Sequence, residues 1–232
     1  MVRVLINQEG LIHRVRGDGD IHTNNGVVLK KDLENPPKVV KSHSGYAFLY
    51  ADANSADLFE LMRRGPQIIT LKDAGYIVAR TGITRNSVVF DAGGGSGALS
   101  LFLSLHAKKV YCYERRDDFI KIIAHNIALF GAKNVVLKEA DVYDGVKVKN
   151  VDVATLDLKE PWRVDPSFVK LGGYVVVYVP TINQVEKARF AGFVLEEVTE
   201  IIKRDWRTDA ILRPKSKMIA HTGFLCFFRR LK

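Results

Sequence analysis

The sequence of 232 residues is poor in the residue types that cross-link chains, bind metals or span membranes. Its two cysteines, Cys112 and Cys226, lie in apolar, strand-like runs, and neither they nor the six histidines are spaced like metal ligands. No apolar run approaches the ~18 residues of a membrane span, and the N-terminus lacks a signal-peptide pattern. We therefore expect a cytoplasmic protein with reduced cysteines, no metal and no membrane partner.

Charge of one sign is in excess. The chain has 35 basic and 26 acidic residues, a formal net charge of +9 and a pI near 9.5. This surplus favours an anionic partner such as nucleic acid, although excess lysine also serves solubility. The hydrophobic fraction of 47% and the charged fraction of 26% are typical of a globular chain rather than a disordered one.

Two regions of the chain have different patterns. Short β-prone runs separated by turn-prone clusters occupy residues 1–55 and predict a small all-β domain. From residue 56 helical segments appear, and from Val88 apolar strands alternate with helices. This alternation predicts a second domain, 56–232, built on a doubly wound, mostly parallel sheet. We expect residues 193–204 and 221–228 to close that sheet as an antiparallel pair.

A glycine-rich turn organises the second domain. Residues 88–99 read Val-Val-Phe-Asp-Ala-Gly-Gly-Gly-Ser-Gly-Ala-Leu, which predicts a buried strand, a tight turn and the start of a helix. Free N–H groups at a helix start face any ligand above the turn, so the turn is suited to a nucleotide-like molecule. Gly93, Gly95 and Ala98 also satisfy the dinucleotide pattern, and a purely structural loop remains an alternative. A P-loop is excluded, because no Gly-Lys-Ser/Thr follows.

Acidic residues end the next three strands. Glu114 lies seventeen residues beyond Gly97, near the spacing at which a carboxylate accepts hydrogen bonds from ribose hydroxyls. A surface glutamate beside two arginines is the alternative. Asp141 could accept the exocyclic amine of an adenine, or it could cap a helix. Asp157 follows the fourth strand, so we expect it over the reactive end of a bound cofactor.

Two aromatic residues follow Asp157 in the same domain. Trp162 belongs to the loop after the fourth strand, and Tyr178 ends the fifth. Each is a candidate stacking face for an extruded base, and each could equally be a core aromatic. Candidate phosphate contacts are the basic residues Lys30, Lys31, Lys41, Arg63, Arg64, Lys215 and Lys217.

Several motifs together resemble a known family. In order they are Gly-Pro-Gln67-Ile-Ile, the glycine turn, Tyr113-Glu114-Arg115, Leu156-Asp157-Leu158-Lys159-Glu160-Pro161-Trp162, Arg213-Pro214 with Met218, and His221-Thr222-Gly223-Phe224-Leu225. This series is similar to that of the tRNA (adenine-N1)-methyltransferases that modify the T-loop, particularly their archaeal branch. The resemblance implies a Rossmann-like class I methyltransferase fold whose seven-stranded sheet has an antiparallel last strand. It also implies S-adenosylmethionine as methyl donor, tRNA as substrate and a homotetramer.

The resemblance also assigns site residues. It places Asp157 as the catalytic aspartate and Tyr178 as the aromatic near the target base. The cofactor contacts that it implies are Gln67, Gly93, Gly95, Ser96, Gly97, Ala98, Leu99, Glu114, Phe119, Asp141, Val142 and Asp157. The chain departs from the family pattern at Thr70 and Leu71, where the family usually has Tyr or His followed by Pro.

The chemistry of adenine agrees with this assignment. Adenine N1 is a weak nucleophile, and a carboxylate that accepts a hydrogen bond from the N6 amine raises its electron density. Neither a metal nor a covalent nucleophile is needed. Three alternatives remain: a methyltransferase of this fold with a small-molecule or protein substrate, a non-catalytic RNA-binding subunit, and a nicotinamide oxidoreductase.

Overall fold

A computed structural model describes residues 2–17, 19–65, 68–207 and 211–232. The chain divides into two compact units, Met1–Arg63 and Arg64–Lys232. The sequence places a domain boundary after residue 55, eight residues earlier. The division falls later because the helix Ser55–Leu61 contacts strand Ile12–Arg14 of the first unit.

The first unit is a small antiparallel β structure. A four-stranded sheet has the order β2-β1-β6-β5, and β3 pairs with β4 as a separate hairpin. Its core contains Leu5, Val40 and Phe48. The short strand β3 was not predicted, since its three residues lie beside an Asp/Gly-rich segment. The elements are β1 (Arg3–Ile6), β2 (Ile12–Arg14), β3 (Ile21–Thr23), β4 (Gly26–Val28), a 3₁₀ turn (Lys30–Leu33), β5 (Val39–Lys41), β6 (Ala47–Asp52) and α1 (Ser55–Leu61).

The second unit confirms the predicted fold class. Its seven-stranded sheet has the order β12-β15-β11-β10-β7-β8-β9, and β15 is antiparallel to both of its neighbours. The elements are α2 (Leu71–Thr81), β7 (Val88–Ala92), α3 (Ala98–Ser104), β8 (Lys109–Glu114), α4 (Asp117–Phe130), β9 (Val135–Glu139), β10 (Val151–Leu156), β11 (Val169–Val179), α5 (Ile182–Lys187), β12 (Phe193–Thr199), β13 (Trp206–Arg207), β14 (Arg213–Pro214) and β15 (Phe224–Arg230).

The central strands of this sheet are buried on both faces. One apolar cluster contains Phe90, Val175 and Phe228, and the other contains Ile77 and Phe227. The central strands are nearly continuous hydrophobic runs for this reason. Their carboxyl ends meet at one edge of the sheet, where the glycine turn and the acidic strand ends lie.

The C-terminal third differs in detail from the prediction. Strand β11 begins at Val169 and includes Gly173, where a Cβ atom would lie 2.6 Å from the carbonyl oxygen of Asp152. The glycine therefore permits a close approach within the strand. Strand β12 ends at Thr199, five residues before the predicted end, and α5 has only six residues. The short pair β13–β14 was not predicted.

No helix in the described parts of the chain is long and apolar enough to cross a membrane.

Candidate functional site

The glycine turn between β7 and α3 packs too closely for side chains. A Cβ atom at Gly93 would overlap the carbonyl oxygen of Asp157, and one at Gly94 would lie 2.7 Å from Cys112 Sγ. Gly93, Gly95 and Gly97 have φ values of +85°, +56° and +80°, which favour glycine. The turn therefore exposes backbone to a ligand and lies directly beside Asp157.

Two carboxylates fasten this turn. Glu114 accepts hydrogen bonds from the backbone N–H groups of Gly95 (2.9 Å), Arg115 (2.9 Å) and Arg116 (3.0 Å). The buried Asp91 accepts from the hydroxyls of Ser100 (2.5 Å) and Thr155 (2.7 Å). Burial raises the pKa of Asp91 to about 6, although both hydroxyls oppose this shift. The turn is thus held by neighbouring strands and not only by its own glycines.

Two cavities flank the turn, and Gly93 lines both. The larger has a volume of about 470 Å³ and the smaller one of about 20 Å³. The larger is lined by Gly93, Tyr113, Glu114, Arg115, Ala140, Asp141, Val142, Tyr143, Asp144, Leu158, Lys159, Glu160 and Arg163. The smaller is lined by Ile68, Ile69, Asp91, Gly93, Gly94, Gly95, Ser96, Ala98, Leu99 and Asp157.

The sequence predicts two alternative roles for Asp141, a cap and a contact with an adenine amine. One carboxylate oxygen accepts from the Tyr143 backbone N–H at 3.0 Å, which caps the 3₁₀ turn Val142–Asp144. The other pairs with the Arg115 guanidinium at 2.9 Å. The Tyr143 N–H, and then Arg115, hold the pKa of Asp141 below its usual range. The capping role is therefore present, while the adenine contact stays a prediction for a residue that does line the larger cavity.

Asp157 differs from the other carboxylates of the site. Its backbone N–H donates to the Ala92 carbonyl at 2.9 Å, which fixes the residue at the tip of β10. Its carboxylate has no hydrogen-bond partner within the described ranges. Burial, and then the charge of Asp91, raises its pKa to about 7. The group lines the smaller cavity and can accept or take up a proton near neutral pH.

Tyr178 lies on the same side of the sheet edge. Its ring is buried, and its hydroxyl has no hydrogen-bond partner among the residues that the structure describes. Burial raises its pKa to about 12 against the opposing effect of the nearby Thr222 hydroxyl, and the negative charges of Asp73 and Asp157 act in the same direction as burial. The ring also contacts the backbone at Gly223, where a Cβ atom would lie 2.5 Å from the ring carbon Cζ. The structure thus brings Tyr178 within electrostatic range of Asp157.

Like Tyr178, several other predicted residues line neither of the two cavities. Gly97 begins α3 and packs on Ile123. The half-buried Phe119 is covered by the Arg116 guanidinium, 3.2 Å from its ring centroid. Trp162 is half-buried beside Lys187 and lines neither cavity. Gln67 lies outside the described residues, although its neighbours Ile68 and Ile69 line the smaller cavity.

Some lining residues were missed from the sequence. Tyr113 and Tyr143 line the larger cavity. Tyr113 directly precedes Glu114, and Tyr143 lies two residues after Asp141. Leu158 also lines this cavity, directly after Asp157. Their positions beside Glu114, Asp141 and Asp157 were the available signal. The described residues contain no group of three or more His, Cys, Asp or Glu side chains that could hold a metal ion.

The residues present fit a nucleoside-containing cofactor. Side chains at positions 93 and 94 would clash with surrounding atoms, so the cradle depends on glycine. The Ser96 hydroxyl, beside the smaller cavity, is buried without a hydrogen-bond partner in the described structure. An unpaired buried hydroxyl costs free energy unless a ligand satisfies it. The larger cavity adds carboxylates and aromatic rings on the other side of the turn.

Comparison with known proteins gives consistent relatives. The chain is 31% identical to the tRNA (adenine(57)-N(1)/adenine(58)-N(1))-methyltransferase TrmI of Methanocaldococcus jannaschii, with 98% of this chain and 94% of that protein covered. It is also 31% identical to the tRNA (adenine(58)-N(1))-methyltransferase TrmI of Thermus thermophilus, with 92% and 90% covered. No family model matches the chain.

Two solved structures resemble the chain over its whole length. The tRNA (m1A58) methyltransferase TrmI of Aquifex aeolicus has a TM-score of 0.81 and 28% identity, with 100% of this chain and 97% of that one covered. A SAM-dependent O-methyltransferase of Thermotoga maritima has a TM-score of 0.87 and 26% identity, with 100% and 93% covered. The shared architecture includes the small β unit as well as the seven-stranded sheet.

Proposed function

Since the chain belongs to the family of tRNA (adenine-N1)-methyltransferases, we propose that it transfers a methyl group from S-adenosylmethionine to N1 of an adenine in the T-loop of tRNA. The observation that carries this proposal is the carboxylate of Asp157. The backbone of Asp157 lies against the glycine turn and the residue lines the smaller cavity, while its carboxylate lacks a hydrogen-bond partner in the described structure and has a pKa of about 7. No other carboxylate that lines the two cavities combines these properties.

The cradle residues would hold the donor on both sides of Gly93. Glu114, Asp141 and Val142 line the larger cavity and suit the adenosine moiety, with ribose hydroxyls at Glu114 and the adenine amine at Asp141. Gly95, Ser96, Ala98 and Leu99 line the smaller cavity on the side of Asp157. Gln67, Gly97 and Phe119 remain proposed contacts. S-adenosylmethionine, when bound, would supply an electrophilic methyl group on a sulfonium sulfur, whose carbon–sulfur bond breaks on transfer so that the donor leaves as a neutral thioether.

Asp157 performs the proton chemistry. As a carboxylate it accepts a hydrogen bond from the N6 amine of the target adenine and so raises the electron density at N1. When N1 forms its new bond to carbon, positive charge develops on the ring, and the negative Asp157 stabilises it. The carboxylate then takes up the N6 proton. A charge-assisted role of this kind accelerates a reaction by on the order of 10²–10⁴.

Tyr178 serves the extruded base. The N1 edge of an adenine is engaged in RNA structure, so the base must leave its stack at a cost of a few kcal/mol. A buried ring beside Asp157 offers a stacking face, and its unpaired hydroxyl offers a hydrogen bond. Trp162 is a weaker candidate: neither aromatic residue lines the two cavities, but only Tyr178 lies within electrostatic range of Asp157.

The charge distribution favours tRNA contacts on the second unit. Residues 1–63 contain eight basic and eight acidic residues, so the net charge of +9 belongs to residues 64–232. Phosphate contacts depend on such a surplus. We therefore favour Lys215 and Lys217 over Lys30, Lys31 and Lys41 as the residues that bind the RNA backbone, while Arg63 and Arg64 lie at the division between the units and are not ranked by this argument.

One experiment tests the activity directly. The protein is incubated with unmodified tRNA and methyl-labelled S-adenosylmethionine, and the digested nucleosides are identified by mass spectrometry. We expect 1-methyladenosine, and mapping of nuclease fragments should place it in the T-loop. Label in 2′-O-methylated nucleosides or in no nucleoside would contradict the proposal. A small-molecule or protein methyltransferase would leave tRNA unlabelled, and a non-catalytic subunit would bind tRNA without turnover.

The predicted assembly and location are separate proposals. A homotetramer of the 26.0 kDa chain would have about four times that mass in light scattering. The mass of a monomer or a dimer would contradict the proposed tetramer. It would not bear on the proposed activity. The cytoplasmic location stays a prediction, which cell fractionation can test.

A further inference from the structure

Four side chains near the start of α2 form a closed cluster around a fully buried carboxylate. Asp73 accepts from the Thr70 hydroxyl at 2.8 Å, the Lys72 ammonium at 2.8 Å and the Thr222 hydroxyl at 3.0 Å. Lys72 also donates to the Thr222 oxygen at 2.7 Å. The exposed fraction is 12% for the Lys72 side chain and 0% for that of Asp73.

This cluster fixes the orientation of the Thr222 hydroxyl. The single proton of that hydroxyl is given to Asp73, while one of its lone pairs receives Lys72. The cluster joins chain segments about 150 residues apart. A buried ion pair rarely contributes net stability, because desolvating two charges offsets their attraction. A role in holding one specific geometry is therefore the better explanation.

Gly223, the residue after Thr222, packs against Tyr178. A Cβ atom at Gly223 would lie 2.5 Å from Cζ, 2.7 Å from Cε2 and 2.8 Å from the hydroxyl oxygen of Tyr178. The backbone at Gly223 thus lies directly on the edge of the phenol ring. Because Thr222 is fixed by Asp73 and Lys72, the position of this backbone is fixed as well. The Tyr178 hydroxyl itself has no hydrogen-bond partner in the described structure.

We propose that Lys72, Asp73 and Thr222 are positioning residues that hold the Tyr178 hydroxyl at the base-binding side of Asp157. The inference rests on the proposed function, in which Tyr178 contacts the target adenine. None of the three residues needs to touch a reacting atom. Thr70 adds a fourth hydrogen bond to the cluster at a position where the chain departs from the resembled family pattern.

Steady-state kinetics with tRNA test the proposal. Thr222→Val removes the hydroxyl at nearly constant volume, and we expect kcat to fall on the order of ten- to a hundredfold, as for a misplaced reacting group. The KM for S-adenosylmethionine should stay unchanged, and Thr222→Ser should restore most of the rate. The matched control is Thr81→Val, which removes a hydroxyl at the other end of α2 that bonds only the Ile77 carbonyl.

A double-mutant cycle separates positioning from general structural damage. In a Tyr178→Phe background, Thr222→Val should cost little further rate, because the hydroxyl that it positions is already gone. An equal loss of rate in both backgrounds would overturn the proposal. If Thr222→Val does not fold, Lys72→Gln, which keeps a hydrogen-bond donor, takes its place in the same cycle.

A spectroscopic measurement needs neither tRNA nor activity. The chain has eight tyrosines, and with ¹³C at Cζ the Tyr178 resonance is the one that Tyr178→Phe removes. We expect Thr222→Val to shift this resonance, Thr222→Ser to return it, and Thr81→Val to leave it in place. An unmoved resonance in Thr222→Val would overturn the positioning role. If the wild-type protein makes no 1-methyladenosine, the proposed function fails, while this measurement still decides whether the cluster positions Tyr178.

Discussion

The glycine turn has an adenosine side, at the larger cavity, and a reaction side, at Asp157. Polar groups have hydrogen-bond partners on the first side and lack them on the second. On the adenosine side, Glu114 accepts three backbone N–H groups, and Asp141 has a partner for each of its oxygens. On the reaction side, the Asp157 carboxylate and the Tyr178 hydroxyl have no hydrogen-bond partner in the described structure. The pKa of Asp141 is lowered, while that of Asp157 is raised to about 7.

This difference separates binding from chemistry. A carboxylate that is already satisfied is held rigidly and offers its remaining lone pairs in a fixed direction. An unsatisfied carboxylate in a buried place costs free energy, which only the correct substrate can recover. A site with both features holds its donor firmly and keeps its strongest new interaction for the reacting base. The comparison predicts that substitutions on the two sides change different kinetic constants.

The largest expected effect is that of Asp157→Asn. The amide keeps the shape of the side chain but cannot accept the N6 proton, so kcat should fall on the order of 10²–10⁴. The affinity for S-adenosylmethionine, measured by calorimetry, should change little. Asp165→Asn is the control, because Asp165 is exposed and bonds only within its own turn. Near-normal turnover in Asp157→Asn would remove this residue from the mechanism.

A smaller effect of the opposite kind is expected for Glu114→Ala. Removing this carboxylate takes away the proposed ribose contact and leaves three backbone N–H groups without their acceptor, one in the glycine turn and two directly after β8. We expect the Kd for S-adenosylmethionine to rise about 10- to 100-fold, as for one or two lost hydrogen bonds to a charged group. At saturating cofactor, kcat should remain within a few-fold of the wild type.

Glu139→Ala provides the control for this variant. Glu139 ends the neighbouring strand β9 in register with Glu114, but its side chain is exposed. Its loss should leave the Kd for S-adenosylmethionine unchanged. If Glu114→Ala lowered kcat at saturation as much as Asp157→Asn does, the two sides of the turn would not be functionally separate.

As the pH rises and Asp157 loses its proton, we expect activity to increase and the stability of the folded protein to decrease. Only the ionised carboxylate accepts the N6 proton, so kcat/KM, which reports the free enzyme, should rise about tenfold per pH unit below pH 7 and level off above it. The pKa of Asp157 in the folded protein lies above its ordinary value of 3.8. The contribution of Asp157 to the free energy of unfolding is therefore fully present below about pH 4 and is lost as the pH rises through 7. Asp157→Asn should therefore gain stability over the wild type between pH 5 and 8.

Thermal unfolding of both proteins across this range measures the second trend. Asp91, with a raised pKa of about 6, contributes in the same direction to both proteins and so largely cancels in their difference. A constant difference in stability between pH 5 and 8 would mean that Asp157 has an ordinary pKa.

The fold was predictable from the sequence because its signals are local. The glycine turn, the apolar strands and the helix periodicity each specify an element, and the order of elements implies the sheet. The pairing of Asp141 with Arg115 and the charged neighbour of Asp157 were not predictable in this way. The pKa of Asp157 is raised first by burial and then by the charge of Asp91, which acts on Asp157 because β10 pairs with β7. The cluster of Lys72, Asp73 and Thr222 likewise depends on contacts between segments far apart in the chain.

The smallest effect is expected for Arg115→Ala. This variant tests whether the adenosine side keeps the orientation of Asp141 when Arg115 is lost. Arg115 is largely exposed, and exposed ion pairs contribute little, so its loss should leave the fold intact. The Tyr143 N–H still orients Asp141, while the oxygen released by Arg115 becomes available to an adenine amine. We expect the Kd for S-adenosylmethionine to stay within about a factor of three, with kcat unchanged. A tenfold weaker Kd would show that Arg115 contacts the cofactor itself, and the orientation of Asp141 by the backbone would then not be sufficient for binding.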